Sequence, residues 1–345
     1  MTMRPFKDLT RSGQIRRMRR LAEVALTAYD LGEVRLTALQ HFFNTTFRID
    51  TCSPTGKSER YVIRIHRPGS QDATTIRSEL LWLLALRYEA GLIVPEPVST
   101  RDGALLTTAS VEGVPEPRDC VVLRWVDGRF PGSHLSVKEL ERVGAFLAKL
   151  HHQAEYFLVP EGFFRKSWDY EGLRSGVLGT DLEQSWAHLS AEEHQILDEV
   201  GEKVQSTMQT LGEERDVFGL IHADFYERNY LFSKGEVHAI DFDGSGWGYY
   251  LFDIGVAFST LLARPNYAAL RQAFLRGYRQ KRPFSASHEA LIDTFIAARL
   301  MCHVLWLAAH LDEPSYGMRA VRRIQYEIGE LKAFLSRSLA ASASL

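Results

Sequence analysis

The chain has 345 residues, 45% hydrophobic and 24% charged, an ordinary globular composition with material for two domains or one large bilobal unit. A formal net charge of -2 gives no sign of a nucleic-acid or anionic-membrane partner, and no run approaches the eighteen apolar residues expected of a membrane helix. Three scattered cysteines, Cys52, Cys120 and Cys302, lack zinc or disulfide spacing and fit a reducing, cytoplasmic compartment.

Taken in chain order, Ile15, Met18, Leu21, Ala22 and Ala25 recur at helical spacing among Arg11, Arg16, Arg17, Arg19 and Arg20. The pattern predicts an amphipathic helix with its basic face in water, closed by Tyr29 to Gly32. Short strand-like segments follow: Arg35–Leu39, Thr45–Ile49, Tyr61–His66, Ala104–Thr108 and Cys120–Trp125. One helix, Thr75–Tyr88, interrupts them and ends near Gly91, with Pro95 and Pro97 beyond. After Gly128 the pattern turns helical over Val137–His151, Ala191–Leu211, Tyr249–Leu262, Tyr267–Tyr278, His288–His310 and Met318–Leu339, broken only by a hairpin around Ser233.

That hairpin carries the most chemistry. Ile221 to Asp243 reads IHADFYERNYLFSKGEVHAIDFD. Tyr230–Phe232 and Val237–Ile240 form two short strands around a turn at Ser233–Glu236, so both ends return to one edge. Asp224, Asn229 and Asp241 can therefore converge. Two carboxylates and an amide suit Mg²⁺, which takes oxygen ligands and keeps bonds to substrate phosphates. Three other readings exist for the same residues. Asp224 and Asn229 could cap turns; Asp241-x-Asp243 matches the metal-binding DxD of glycosyltransferases; and His222-x-Asp224 with His151-His152 could form a hydrolase metal centre, though nothing in the sequence ties the His pair to His222.

The order His222-x-Asp224-x4-Asn229, then Asp241-Phe242-Asp243, resembles the aminoglycoside phosphotransferase and choline kinase branch of the protein-kinase-like fold. Within it the chain is most similar to the bacterial group with homoserine-kinase-like and stress-response-kinase-like members. The resemblance covers nearly the whole chain. It implies an α+β, bilobal protein-kinase-like fold: a small antiparallel β-sheet lobe over 1–120, a hinge at 121–128 and a larger, mostly helical lobe over 129–345. It implies ATP and Mg²⁺ as cofactors and transfer of the γ-phosphate to a hydroxyl of a small molecule such as an amino alcohol, a sugar or an aminoglycoside. Asp224 would then orient or deprotonate the acceptor hydroxyl, with Asn229 and Asp241 on the metal. Arg64 stands where the family usually has Lys, and Glu79 where it has the partner Glu of the next helix. Arg stays charged and grips phosphate with a fork, so the role survives the exchange, although a plain surface ion pair is the alternative.

Asn44 and Thr45, in a loop similar to the family's Asn-Thr-Thr-Phe-Arg, would serve the phosphates. Leu123 and Trp125 would meet adenine through their backbone. Asp253 matches a family Asp that braces the catalytic loop from a helix start, where a helix cap is the ordinary explanation. Acceptor choice would lie in 157–211 and 291–326. There, Glu192-Glu193 and Asp198-Glu199 could hold a polycation or be a solvated face, and Arg299–Trp306 could line a pocket or pack a core. A protein Ser/Thr kinase using the same residues, or a nucleotide-binding pseudokinase, are the alternatives. The chain gives no reading of oligomeric state.

Overall fold

A computed structural model describes residues 4–52, 58–132, 135–174, 182–312 and 317–342. The chain divides into two compact units. The first runs to Asp127 and takes back Val159–Phe164; the second comprises Gly128–Leu158 and the chain from Arg165 onward.

In the first unit, helix α1 (Arg11–Leu26) precedes strands β1 (Val34–His41), β2 (Thr45–Cys52) and β3 (Ser58–Ile65), then helix α2 (Ala73–Tyr88) and strands β4 (Thr107–Ala109) and β5 (Arg118–Arg124). The strands form one antiparallel sheet in the order β1-β2-β3-β5-β4. Alternation sets its faces. Phe47 and Ile49 of β2 and Ile63 and Ile65 of β3 are all fully buried in one core with Met18, Leu21, Ala22 and Ala25 of α1. The basic residues of α1 are not all solvated as predicted: Arg17 donates to the Gly113 and Arg4 carbonyls and Arg19 to Leu36, fastening the helix down. Helix α2 starts two residues before its predicted limit because the Asp72 carboxylate caps it by accepting from Thr75 N–H at 2.7 Å.

In the second unit come α3 (Val137–Tyr156), β6 (Ser167–Trp168), α4 (Tyr170–Arg174), α5 (Leu182–Ala187), α6 (Ala191–Leu211), β7 (Phe218–Ile221), β8 (Tyr230–Ser233), β9 (Glu236–Ala239), β10 (Gly246–Tyr249), α7 (Tyr250–Ser259), α8 (Tyr267–Arg279), α9 (Ala286–Ala309) and α10 (Gly317–Ser342). The β8–β9 hairpin lies where the sequence places it. A second small sheet, β6-β10-β7, was not expected, since strands of two to four residues are too short to show a period. Helices α3 and α8 approach backbone to backbone. A Cβ on Gly144 would overlap the Phe274 carbonyl, and one on Gly277 the Glu141 carbonyl, which is why glycine stands at both contacts.

Helix α9 corrects the membrane reading. It is long and apolar enough to cross a bilayer by length and composition, although the charged residues scattered along it hid this in the sequence. It packs against α7, α10 and α6, and 56% of that apolar window is buried within the protein, the pattern of a core helix. The Cys120 and Cys302 thiols are free.

Candidate active site

The segment between β7 and β8 holds the site. It leaves β7 at Ile221 and passes through Ala223 in the left-handed region (φ 65°), an arrangement costing about 1 kcal/mol or more for a residue with a Cβ. What holds it there is Asp253 on α7, wholly buried. One Asp253 carboxylate oxygen accepts the His222 N–H at 2.8 Å and the other the Ala223 N–H at 2.6 Å. The helix cap is thus set aside as the explanation of Asp253: both oxygens serve the loop.

His222, also fully buried, spans the gap to the far end of the hairpin. Its Nδ1 accepts from the Asp224 N–H at 3.3 Å, so its Nε2 carries the proton and donates to the Ile240 carbonyl at 3.0 Å. Ile240 N–H in turn donates to the Asn229 carbonyl at 2.9 Å. Asp224 and Asn229 meet directly: the Asn229 amide Nδ2 donates to the Asp224 carbonyl and to its Oδ2, both at 2.8 Å. Asp241 follows Ile240, exposed and in the left-handed region (φ 65°). Its charge and that of Asp224 reach the phenol of Tyr226, whose pKa is pushed up to about 12, mainly by burial. Asp224 and Asn229 thus meet as the hairpin predicts, and the Ile240–Asn229 backbone bond brings the start of the Asp241 segment to the same end of the hairpin.

The donor set suits a hard cation. Asn229 spends its Nδ2 on Asp224, so its Oδ1 faces the other way, and Asp241 offers an exposed carboxylate. Among the described residues no three His, Cys, Asp or Glu side chains gather into a closed metal cage. Few protein oxygens, with the remaining positions left to water and phosphate, is the pattern Mg²⁺ favours.

Three supports lay beyond the reach of the sequence. Arg299 of α9 donates from Nη2 to Asp224 Oδ1 at 2.7 Å, a contact 75 residues away in the chain. Buried Arg165 donates to the Ser245 carbonyl at 2.6 Å and the Asp243 carbonyl at 2.8 Å, holding the turn after Asp241. His151 corrects the expectation that nothing ties it to His222: its Nε2 lies 3.2 Å from the same Asp253 oxygen that His222 N–H uses, and its Nδ1 lies 2.8 Å from the Tyr278 hydroxyl. Both ring nitrogens are thereby engaged, against the hydrolase reading.

Burial holds the His151 imidazole below its ordinary pKa, outweighing the upward pull of Asp253. The unfolded chain takes up this proton near pH 6.5, the folded chain only at a lower pH. Stability is therefore complete above pH 6.5 and falls on acidification below it, by at most about 1.4 kcal/mol per pH unit for one proton. Urea unfolding at pH 7 and at about pH 5.5 is expected to show a smaller loss in His151→Gln than in the wild type; equal losses would assign the acid sensitivity elsewhere.

Beside Asp224 lies a cavity of about 950 Å³ whose lining includes Tyr226, Arg228, Arg299, His303, Arg319 and Arg323. The stretch Arg299–Trp306 is thus both wall and core: Arg299, Leu300 and His303 line the cavity, and Met301, Val304 and Leu305 are buried. The acidic pairs on α6 take no part. Glu193 caps its own helix with Ser190, Glu192 pairs with Lys332, and Asp198 pairs with Arg174. Of the segment 157–211, residues 175–181 lie outside the described residues.

The remaining predicted residues belong to the first unit. Because Ile63 and Ile65 point into the α1 core, Arg64 points to the opposite face of β3 and meets Glu79 of α2. Arg64 Nη2 reaches both Glu79 oxygens, at 2.8 and 2.7 Å, and its Nε lies 3.3 Å from His66 Nε2. The pair is buried, with side-chain exposures of 6% and 0%, so the surface-pair alternative is overturned. Asn44 ends the turn between β1 and β2, its Oδ1 accepting from Arg67 N–H at 3.1 Å; Thr45 Oγ1 lies 2.8 Å from His41 Nδ1. Leu123 is in β5, paired with Val62, and Trp125 N–H donates to the Arg60 carbonyl at 3.0 Å.

Residues 37–288 match the sequence profile of the phosphotransferase enzyme family. Among curated proteins, a homoserine kinase of Neisseria meningitidis serogroup B is 29% identical over 296 residues, which cover 83% of this chain and 87% of that one. Among solved structures, a microcompartment-associated aminopropanol kinase is similar with a TM-score of 0.79 and 28% identity, over 93% of this chain and 98% of that one. The fold is shared with the amicoumacin kinase hAmiN at a TM-score of 0.75 and 19% identity, over 94% of this chain and 96% of that one.

Proposed function

This chain belongs to the phosphotransferase enzyme family, and we propose on that premise that it moves the γ-phosphate of ATP, with Mg²⁺, to a hydroxyl of a small molecule in the cytoplasm. The observation that carries the reading is the Asp224–Asn229 hydrogen bond, with Asp224 tied through Arg299 to the cavity wall. Asp224 is the general base and orienter of the acceptor hydroxyl. Each of its oxygens already accepts one hydrogen bond, from Arg299 and from Asn229, which fixes the carboxylate plane and leaves further lone pairs for the incoming hydroxyl. Asn229 and Asp241 hold Mg²⁺, which when bound neutralises charge on the β- and γ-phosphates.

Arg64, set by Glu79, grips the phosphate tail, and Asn44 and Thr45 serve the phosphates from the turn before β2. Adenine meets backbone groups near Leu123 and Trp125 that the pairing with β3 leaves open, the Trp125 N–H being committed to Arg60. Positioning and charge neutralisation supply most of the rate.

A cavity at the upper end of the usual small-ligand range supports a small acceptor over a protein Ser/Thr side chain. The intact Asp224–Asn229 pair supports turnover over a pseudokinase. The test is ADP release from ATP and Mg²⁺ against amino alcohols, hydroxy amino acids, sugars and aminoglycosides, with autophosphorylation as control. Turnover of at least one small acceptor is expected. Autophosphorylation alone would make this a protein kinase, and nucleotide binding without turnover a pseudokinase.

A further inference from the structure

Arginine dominates the charge lining the cavity beside Asp224. Among the described lining residues there are five arginines and two glutamates, and both glutamates are already neutralised within the wall. Glu227 pairs with Arg264. Glu327 is wholly buried; it accepts from Arg323 Nε at 2.6 Å and lies 2.7 Å from His303 Nδ1. Arg299 answers Asp224. That leaves Arg228 and Arg319 with no carboxylate partner among the described residues, and Arg323 hydrogen-bonded only through Nε, with its guanidinium over the Tyr326 ring and its two terminal nitrogens available to a ligand. Arg319 and Arg323 stand four residues apart on α10 and therefore share one face, the face that lines the cavity.

Two guanidinium groups at that spacing form a paired fork for a planar or tetrahedral anion. A cationic acceptor such as an aminoglycoside would instead meet like charge in a partly desolvated space, which disfavours it.

We infer that the acceptor carries, besides the hydroxyl it offers to Asp224, an anionic group (carboxylate or phosphate) held by Arg319 and Arg323. The inference rests on the phosphotransferase reading of this site and narrows its substrate class. A hydroxyl at Asp224 and an anion at α10 fix a small molecule at two points, which is what in-line transfer requires.

The test compares acceptors differing only in the anion: serine with ethanolamine, homoserine with 3-aminopropan-1-ol, and glycerol 3-phosphate with glycerol. The first two pairs probe a carboxylate and the third a phosphate. In at least one pair the anionic member is expected to be preferred by about 10- to 100-fold in kcat/KM, the range of a hydrogen bond to a charged group. Arg319→Ala should reduce that preference, and Arg319→Glu abolish it, through KM rather than kcat. Arg319 is exposed and has no partner among the described residues, so neither variant should impair folding.

Turnover of ethanolamine, 3-aminopropan-1-ol and glycerol each as fast as that of its anionic partner would overturn the inference, as would a preference untouched in Arg319→Glu. If ATP binds and no member of any pair is phosphorylated, the transfer reading fails separately, and thermal shift then decides. Stabilisation of the wild type by an anionic member, lost in Arg319→Glu, sustains the anion site; no stabilisation by any of them removes it.

Discussion

Replacing Asp224 with alanine is expected to lower phosphoryl transfer by about 10²- to 10⁴-fold, the usual contribution of a positioned base, while nucleotide affinity and folding stay close to wild type. The asymmetry follows from the surroundings of the carboxylate. Its side chain is 35% exposed; on its removal Asn229 keeps its bond to the residue-224 backbone carbonyl, and Arg299 can turn to water in the adjoining cavity. Asp224→Asn should be nearly as inactive, because its new NH₂ must face one of those two donors. Asp241→Ala should fail differently, losing Mg²⁺-dependent nucleotide binding by calorimetry. Turnover that survives in Asp224→Ala would strip Asp224 of its role, and unchanged nucleotide binding in Asp241→Ala would do the same for the metal assignment.

Replacing Asp253 with alanine is expected to destabilise the protein by about 3–5 kcal/mol, a large share of the 5–15 kcal/mol that keeps a typical domain folded. The carboxylate is fully buried and satisfies His222 N–H, Ala223 N–H and His151 Nε2 together. Its loss leaves two buried amide donors without an acceptor. It also frees Ala223 from the bonds that keep it in the left-handed region. Asparagine is no remedy, since its single carbonyl oxygen replaces two acceptors. Urea unfolding gives the global loss, and hydrogen exchange at the amides of His222 and Ala223 should quicken. A midpoint within about 0.5 kcal/mol of wild type would show that the loop is held by something else.

What could be read from the chain was what is local in the chain. Asp224 and Asn229 lie around one hairpin, so their meeting follows from spacing, and the Arg64–Glu79 partnership was implied by the family resemblance. Burial of that ion pair was not legible, because the residues covering it come from elsewhere in the unit. Arg299, Arg165 and His151 reach the site from distances of 75 residues and more. No periodicity encodes which buried polar residue of one helix meets a loop on another.

The small sheet of β6, β10 and β7 was missed because its strands are shorter than the period that would reveal them; α9 was read as a helix, but scattered charges masked its apolar length. The cavity's charge was hidden for a further reason. Arg228, Arg299 and Arg319 sit on three separate elements and become neighbours only in the folded chain.

The division of the cavity wall between α9 and α10 bears on how such an enzyme could change its diet. Arg299 touches Asp224, the proposed base, so on that reading drift on that side of the wall disturbs the reaction together with recognition. Positions 319, 320 and 323 face the same space with no hydrogen bond to Asp224 or Asn229. Variation there can retune which alcohol is admitted while the machinery on the hairpin is inherited intact, making the C-terminal helix the natural ground for divergence and for redesign.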